Sequence, residues 1–296
     1  TLIPSRTALV LGVANNRSLA WASALSLLRK NNYDEIIITH HGDPRLQQSA
    51  QKLASSVNNS SDFKNQRVHA LPCDVTSPDS LDQLFEHELP TILQKNQRLD
   101  CMVHSIAYAT PKSMKGEAAD AYSSGRSGLL HCTADDFQIA HNISSYSLIE
   151  LSRRALPFLT RSLNDSEEKP GGGASIVALS YLGANKAVPN YNIMGPAKAS
   201  LEAITRGLAL ELGSQHNIRV NCVSAGPVNT LAARGIRDFH AMKQDVELRS
   251  PLRRGVTADE VGNAVAFLAS EDASGITGQT LFVDAGYSTV AGPAKS

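Results

Sequence analysis

An excess of charge is missing from this chain: 28 lysines and arginines are matched by 28 aspartates and glutamates. With no net charge, no overall field draws the molecule to nucleic acid or to an anionic membrane surface. Long apolar runs are missing too, and none approaches the roughly 20 residues of a membrane span. Cysteine is scarce. Cys73, Cys101, Cys132 and Cys222 are at neither metal-binding nor redox spacing. Cys73, Cys101 and Cys222 lie in or beside apolar runs, so buried thiols in a reducing compartment are expected. No Cys/His cluster suggests a metal site, and none is expected. The full G-x-G-x-x-G fingerprint of dinucleotide-binding folds is also absent.

What is present is a regular alternation of β-branched apolar runs with helical patterns. The strand-like runs are Thr7–Leu11, Glu35–Thr39, Arg67–Leu71, Asp100–His104, Ala174–Ser180, Ile218–Ser224 and Gln279–Val283. Helices are expected at Ser18–Arg29, Ser49–Val57, near Ser80–Leu93, around Ala134–Leu156, from about Tyr191 to Gly213, and near Ala258–Leu268. Nearly continuous apolar strands are buried on both faces. Strand–helix alternation then predicts an α/β fold: a single-domain, Rossmann-type, doubly wound parallel sheet of about seven strands, with helices on both faces. No repeat or domain boundary interrupts residues 1–296. Polar stretches such as Val57–Asn65 and Asn164–Gly173 read as surface loops.

After the first strand comes Gly12, then Ser18 and Leu19 at a helix start. That order aims backbone N–H groups and the positive helix end at a pyrophosphate. Gly12 allows the tight turn, and Ser18 can cap the helix or reach a phosphate; taken alone, an ordinary capped turn reads equally well. Asp74 closes the third strand, where its carboxylate can accept from an adenine amino group. Ser105 closes the fourth, beside the ribose. Both stand at strand carboxyl ends, where open α/β sheets bind ligands, although a helix cap and a plain turn are rival readings. His40, His41 and Gly42 end the second strand. Neither an acid for ribose hydroxyls nor a base for a 2′-phosphate follows directly, so the choice between NADH and NADPH stays open.

Beyond the fifth strand, Tyr191 and Lys198 are seven residues apart, about two turns on a helix, so both side chains are expected to share a face. An ammonium near a phenol favours developing negative charge and can lower the phenol's pKa. It can also donate to ribose hydroxyls. Gly195 and Pro196 are poor interior helix residues, so the helix is expected to begin close to them or to have an irregular first turn.

At these residues the chain resembles the enoyl-acyl-carrier-protein reductases, the divergent branch of the short-chain dehydrogenases. Classical members place the tyrosine four residues before the lysine, where this chain has Met194. The segments S-Y-L-G-A-N-K-A-V-P-N-Y-N-I-M-G-P-A-K-A-S-L-E-A, R-V-N-C-V-S-A-G-P-V-N-T-L-A-A-R-G-I, P-L-R-R-G-V-T-A-D-E-V-G-N, S-G-I-T-G-Q-T-L-F-V-D-A-G and H-N-I-S-S-Y-S carry the likeness over almost the whole chain.

The resemblance implies that Tyr191 and Lys198 are the catalytic pair and that Tyr181 lies at the substrate. It implies cofactor contacts at Gly12, Ser18, Leu19, His41, Asp74, Val75, Ser105, Ile106, Lys198, Val228, Asn229, Thr230, Leu231 and Ala232, and an acyl pocket lined by Ala109. Ala22 and Ala107 depart from the family's usual glycines. The implied activity is NADH- or NADPH-dependent reduction of an enoyl thioester carried on acyl-carrier protein, by a homotetramer. The expected compartment is the cytoplasm of a bacterium, or a plastid or other organelle matrix if a leader preceded Thr1. A ketone or alcohol oxidoreductase of the same fold is opposed by Met194, and a non-catalytic nucleotide-binding module would not need the Tyr/Lys pair. The segment Thr230–Glu247, with Ala232, Ala233, Ile236, Phe239 and Met242 at roughly helical spacing, reads as a lid over the acyl chain.

Overall fold

The computed structural model describes residues 5–93, 97–115, 128–160, 173–231, 233 and 238–291. Seven parallel strands form one sheet in the order β3-β2-β1-β4-β5-β6-β7. They are β1 (Thr7–Leu11), β2 (Glu35–His40), β3 (Arg67–Pro72), β4 (Leu99–His104), β5 (Ser175–Tyr181), β6 (Arg219–Ala225) and β7 (Thr280–Val283). The helices are α1 (Leu19–Asn31), α2 (Pro44–Asn58), α3 (Pro78–Asp82), α4 (Leu89–Ile92), α5 (Pro111–Lys115), α6 (Ala134–His141), α7 (Ser147–Leu159), α8 (Met194–His216), α9 (Phe239–Arg249) and α10 (Ala258–Ala269).

Strand side chains alternate between faces, and the buried residues divide accordingly. Ala8, Val10, Ile36, Ile38, Val103, Val177 and Val223 pack with α1, α2 and α10. Leu9, Leu11, Ile37, Met102, Ile176, Val220 and Cys222 pack with α7 and α8 and with Leu84 and Phe85. Helices therefore cover both faces, as the unbroken apolar strands imply. Cys73, Cys101 and Cys222 are buried free thiols, pushed up to about 12 by burial. No described helix is long and apolar enough to cross a membrane.

The helices differ more from expectation than the strands do. α2 begins at Pro44, not Ser49, because Asp43 accepts from the N–H groups of Arg45 and Leu46 and Pro44 needs no partner there. The helix expected at Ser80–Leu93 is α3 and α4 joined by a wide π-turn at Gln83–Glu88. That expected at Ala134–Leu156 is α6 and α7 joined by another at Asn142–Tyr146. There Ser145 and Ser147 donate to the carbonyls of His141 and Ile143, hydroxyl back-bonding that competes with regular helix geometry. Of the polar loop Asn164–Gly173, only Gly173 lies within the described residues.

α1 and α10 cross closely on one face. A Cβ at Gly262 would stand 2.5 Å from the Ala22 carbonyl oxygen and 2.8 Å from the Ser26 hydroxyl. The small residue at 22 thus serves helix packing. Gly262→Val is expected to force the helices apart, at a cost of about 1–3 kcal/mol. Thermal unfolding should show the midpoint falling by several degrees; an unchanged midpoint would mean the crossing has slack.

Candidate active site

The order β3-β2-β1-β4 reverses the winding of the sheet between β1 and β4, which opens a crevice at the strands' carboxyl ends. Gly12 sits at its centre with φ +93°. A Cβ there would lie 2.3 Å from the Ser105 carbonyl oxygen, so position 12 must be glycine for the β1 and β4 loops to meet. Ser18 precedes α1 but does not cap it with its side chain. Its hydroxyl donates to the Asn15 carbonyl at 2.6 Å instead, closing the turn. The first N–H groups of α1 thus have no side-chain cap. A cavity of about 210 Å³, lined by Asn15, Asn16, Arg17 and Leu231, separates this turn from the segment after β6.

Next to the crevice, one Asp74 oxygen accepts from the Thr76 N–H at 2.9 Å and its hydroxyl at 2.7 Å. The other faces His41 Nε2 at 3.7 Å. Val75 and Ile106 pack on the core below. Val228, Asn229, Thr230 and Leu231 follow β6, with the Thr230 hydroxyl accepting from the Ala233 N–H at 3.1 Å. Ala232, Gly235 and Ile236 lie outside the described residues. A closely approached glycine turn, an uncapped helix start and a partly exposed carboxylate at the far strand, beside His41, fit a dinucleotide lying across the switch point.

The tyrosines stand at the other side of the crevice. Tyr181 is the last residue of β5. Tyr191 precedes α8 rather than standing on it, since Asn190 and Asn192 take left-handed backbone, φ +63° and +36°. The expected shared helical face with Lys198 is therefore corrected, although all three residues gather at the β5 end. The two rings pack at 4.7 Å between centroids, tilted by 59°. Gly183 makes room for this, because a Cβ there would lie 2.4 Å from the Tyr191 ring. The Tyr181 hydroxyl donates to Met242 Sδ at 3.0 Å.

Burial pushes the Tyr191 phenol up, with Tyr181 adding to it, and burial likewise raises Tyr181. The expectation that Lys198 lowers the phenol is not met. Lys198 Nζ donates to the Leu179 carbonyl at 2.6 Å. Burial lowers its pKa to about 8, against the opposing pull of Cys222 and Glu202. Glu202 is buried and accepts from the Ser180 hydroxyl at 2.6 Å. His104, wholly buried at the end of β4, is lowered to about 3 by burial and by Lys198, and shares a 2.8 Å hydrogen bond with Ser147. Met194, at the classical tyrosine position, is buried with its sulfur 3.9 Å from the Ser144 hydroxyl.

Ala109 and Cys132 are half-buried against Ala140, Ile193 and Ala197, a small apolar patch beside the tyrosines. Gly183 and Asn192 were not singled out as site residues from sequence, and Met242 was named only within the apolar series of the lid. The glycine two residues after Tyr181 and the asparagines flanking Tyr191 were the available signals; nothing local to Met242 points at Tyr181. Among the described residues no group of three or more His, Cys, Asp or Glu could hold a metal.

The family described as Enoyl-(Acyl carrier protein) reductase matches residues 12–288. The enoyl-acyl-carrier-protein reductase (NADH) FabI of Bacillus cereus is 40% identical over 286 residues, 97% of this chain and 98% of the relative. That of Nostoc is 42% identical over 287 residues, 96% and 97% of the two chains. Among solved structures, the Bacillus cereus enoyl-acyl-carrier-protein reductase with NADP⁺ and indole naphthyridinone superposes with a TM-score of 0.81 at 38% identity, covering 98% of this chain and 99% of that one. The reductase of Anaplasma phagocytophilum in complex with NAD gives 0.81 at 34% identity, covering 100% and 98%.

The lowered Lys198 makes a pH-dependent prediction. Its folded value of about 8 lies below the ordinary 10.5. Below pH 8 the folded protein carries the full cost of the buried charge. Between 8 and 10.5 the unfolded chain holds a proton the folded one has lost, so stability rises with pH. Relative to Lys198→Met, the wild type should gain about 2 kcal/mol between pH 7.5 and 9.5. Denaturant unfolding at the two pH values measures it, and parallel behaviour would refute a buried ammonium.

Proposed function

The chain belongs to the enoyl-acyl-carrier-protein reductase family, and from that premise we propose how its own residues saturate the trans-2 double bond of an enoyl thioester, the last reductive step of type II fatty acid elongation. The observation that carries the reading is the packed pair of half-buried Tyr181 and buried Tyr191 at the end of β5 beside Lys198, with methionine at the classical tyrosine position. NADH, once bound, supplies the hydride that reaches the β-carbon. Gly12, Ser18 and Leu19 would cradle its pyrophosphate, Asp74 and His41 would face its adenosine end, and Ser105, Ile106 and Val75 would border it at the crevice floor. Val228, Asn229, Thr230 and Leu231 would close it from the β6 side, and Ala232, outside the described residues, is assigned there by the family likeness alone.

Tyr191 donates a hydrogen bond to the thioester oxygen, where negative charge develops as the double bond is reduced. A donor already in place stabilises the charge that exists only in the transition state. The raised phenol keeps Tyr191 protonated, and so a donor, at neutral pH. Lys198 keeps one N–H on the Leu179 carbonyl; its remaining donors would serve the ribose hydroxyls, and its charge favours the developing enolate. Tyr181 shapes the pocket with Ala109. Met242, on α9, covers Tyr181 and excludes water from the reacting face.

With a crotonyl thioester and NADH, turnover is expected; with an acetoacetyl thioester, none. The reverse would make the protein a ketone reductase. Tyr191→Phe should lower kcat about 100-fold and leave NADH affinity nearly unchanged in fluorescence titration. Full turnover in that variant would move the donor role to Tyr181.

The assembly that completes this reading is a homotetramer. The edge strand β7 exposes Leu281 and Phe282, and Leu210 on α8 and Phe267 on α10 are exposed as well. Unpaired apolar edges favour burial against another chain. A Leu281→Lys, Phe282→Lys double variant should run as a smaller species in sedimentation velocity. A tetramer surviving both charges would place the contacts elsewhere.

A further inference from the structure

Tyr191 stands between two residues with left-handed backbone, a conformation that costs most side chains energy and that asparagine tolerates best. Asn192 does more than tolerate it. Its Nδ2 donates to the Ser113 carbonyl at 3.0 Å and the Met114 carbonyl at 3.2 Å. Both carbonyls belong to α5, so one side-chain amide fastens the tyrosine loop to a helix 78 or more residues away in sequence.

The anchor is itself held. Thr110 Oγ1, just before α5, donates to Asp136 Oδ1 at 2.5 Å. The Ser113 hydroxyl donates to the Thr110 carbonyl at 2.9 Å. Asp136 also accepts from the N–H and hydroxyl of Thr133, in the capping box that starts α6. A continuous hydrogen-bonded path therefore runs from the α6 cap through α5 to Asn192. The Asn192 carbonyl accepts from the Gly195 N–H at 3.2 Å, in the first turn of α8. The ring of Tyr191 is confined between Gly183 and Tyr181, and only its loop is left to be fixed.

We propose that Asn192 is a positioning residue for Tyr191: its side-chain amide clamps the tyrosine loop to α5 and so sets where the phenol hydroxyl meets the substrate. The proposal rests on the reading of Tyr191 as the hydrogen-bond donor. The residue type follows from two demands met at one position, a left-handed backbone and two N–H donors. Aspartate meets the first demand and opposes the second, since it turns an acceptor toward two carbonyl oxygens. Glycine meets the first and leaves the second empty.

The test uses Asn192→Asp and Asn192→Gly, alone and combined with Tyr191→Phe, in the full-length protein. Each single variant is expected to lower kcat with an enoyl thioester about 10- to 100-fold and to leave NADH affinity within about twofold by fluorescence titration. In the Tyr191→Phe background, either change should add little, because the group being positioned has gone. The glycine variant decides the matter should the aspartate variant not fold. Full turnover in both single variants overturns the clamp. So does a loss of the same size with and without the Tyr191 hydroxyl, which would assign Asn192 an effect of its own, and so does a matching loss of NADH affinity. A Tyr191→Phe protein with wild-type turnover defeats the donor reading itself and takes the clamp with it, whereas impaired Tyr191→Phe beside intact Asn192 variants defeats the clamp alone.

Discussion

A single ammonium group buried between a helix and the sheet organises this site. Lys198 lies on α8 and reaches the Leu179 carbonyl of β5 at 2.6 Å. A charge removed from water is costly unless a partner replaces the lost hydration. That partner is a backbone oxygen near the carboxyl end of β5, so α8 can pack in only one register against the strand. The register then determines what lies around it. Glu202, one turn further along α8, meets Ser180. Thr205 meets Cys222 of β6. His104 on β4 is kept neutral far into acid, with Lys198 among the causes. Tyr181, the next side chain beyond Ser180, is carried to the rim of the crevice.

The same register fixes the approach to α8. The chain must pass from the end of β5 to Met194 and bring Tyr191 back over Tyr181. It does so through two left-handed asparagines and a ring packed where Gly183 lacks a Cβ. Irregular backbone at this point is a consequence of two regular elements that are each fixed elsewhere. It leaves the tyrosine on a short loop instead of a helix, held by contacts on several sides. Such a placement separates the two conditions the phenol must satisfy. Burial sets its protonation state, and hydrogen bonds from neighbouring side chains to backbone set its position.

The strands were readable because their signal is local. β1 spans the residues expected, and β2, β5 and β6 shift by about one residue, since unbroken β-branched runs admit few alternatives. The Gly12 turn was readable for a similar reason: its glycine directly follows a strand. Ser18 misled because a serine before a helix can cap it, turn back on the loop, or bind a ligand, and only the fold shows that its hydroxyl meets Asn15. The spacing of Tyr191 and Lys198 suggested a shared helical face, but spacing carries no information about left-handed residues between strand and helix. Contacts between distant segments were beyond any local pattern. Met242 meets Tyr181 across 61 residues of sequence, and Asn192 meets Ser113 across 79.

Those distant contacts join the tyrosine loop to two different neighbours. Asn192 ties it to α5 on the side of Ala109, while the Asn190 amide reaches the Asp238 carboxylate at 3.4 Å, just before α9. Asp238 is itself left-handed, at φ +56°. The first tie makes two bonds to backbone carbonyls, and the contact from Asn190 runs to an exposed carboxylate at longer range. An exposed amide–carboxylate contact exchanges readily with water and adds little net stability, whereas buried carbonyls are costly to leave without donors. The Asn192 tie therefore makes the loop part of the α5 wall, through groups that need its donors. A loop tied to buried backbone keeps the phenol's position set by contacts that water does not readily replace.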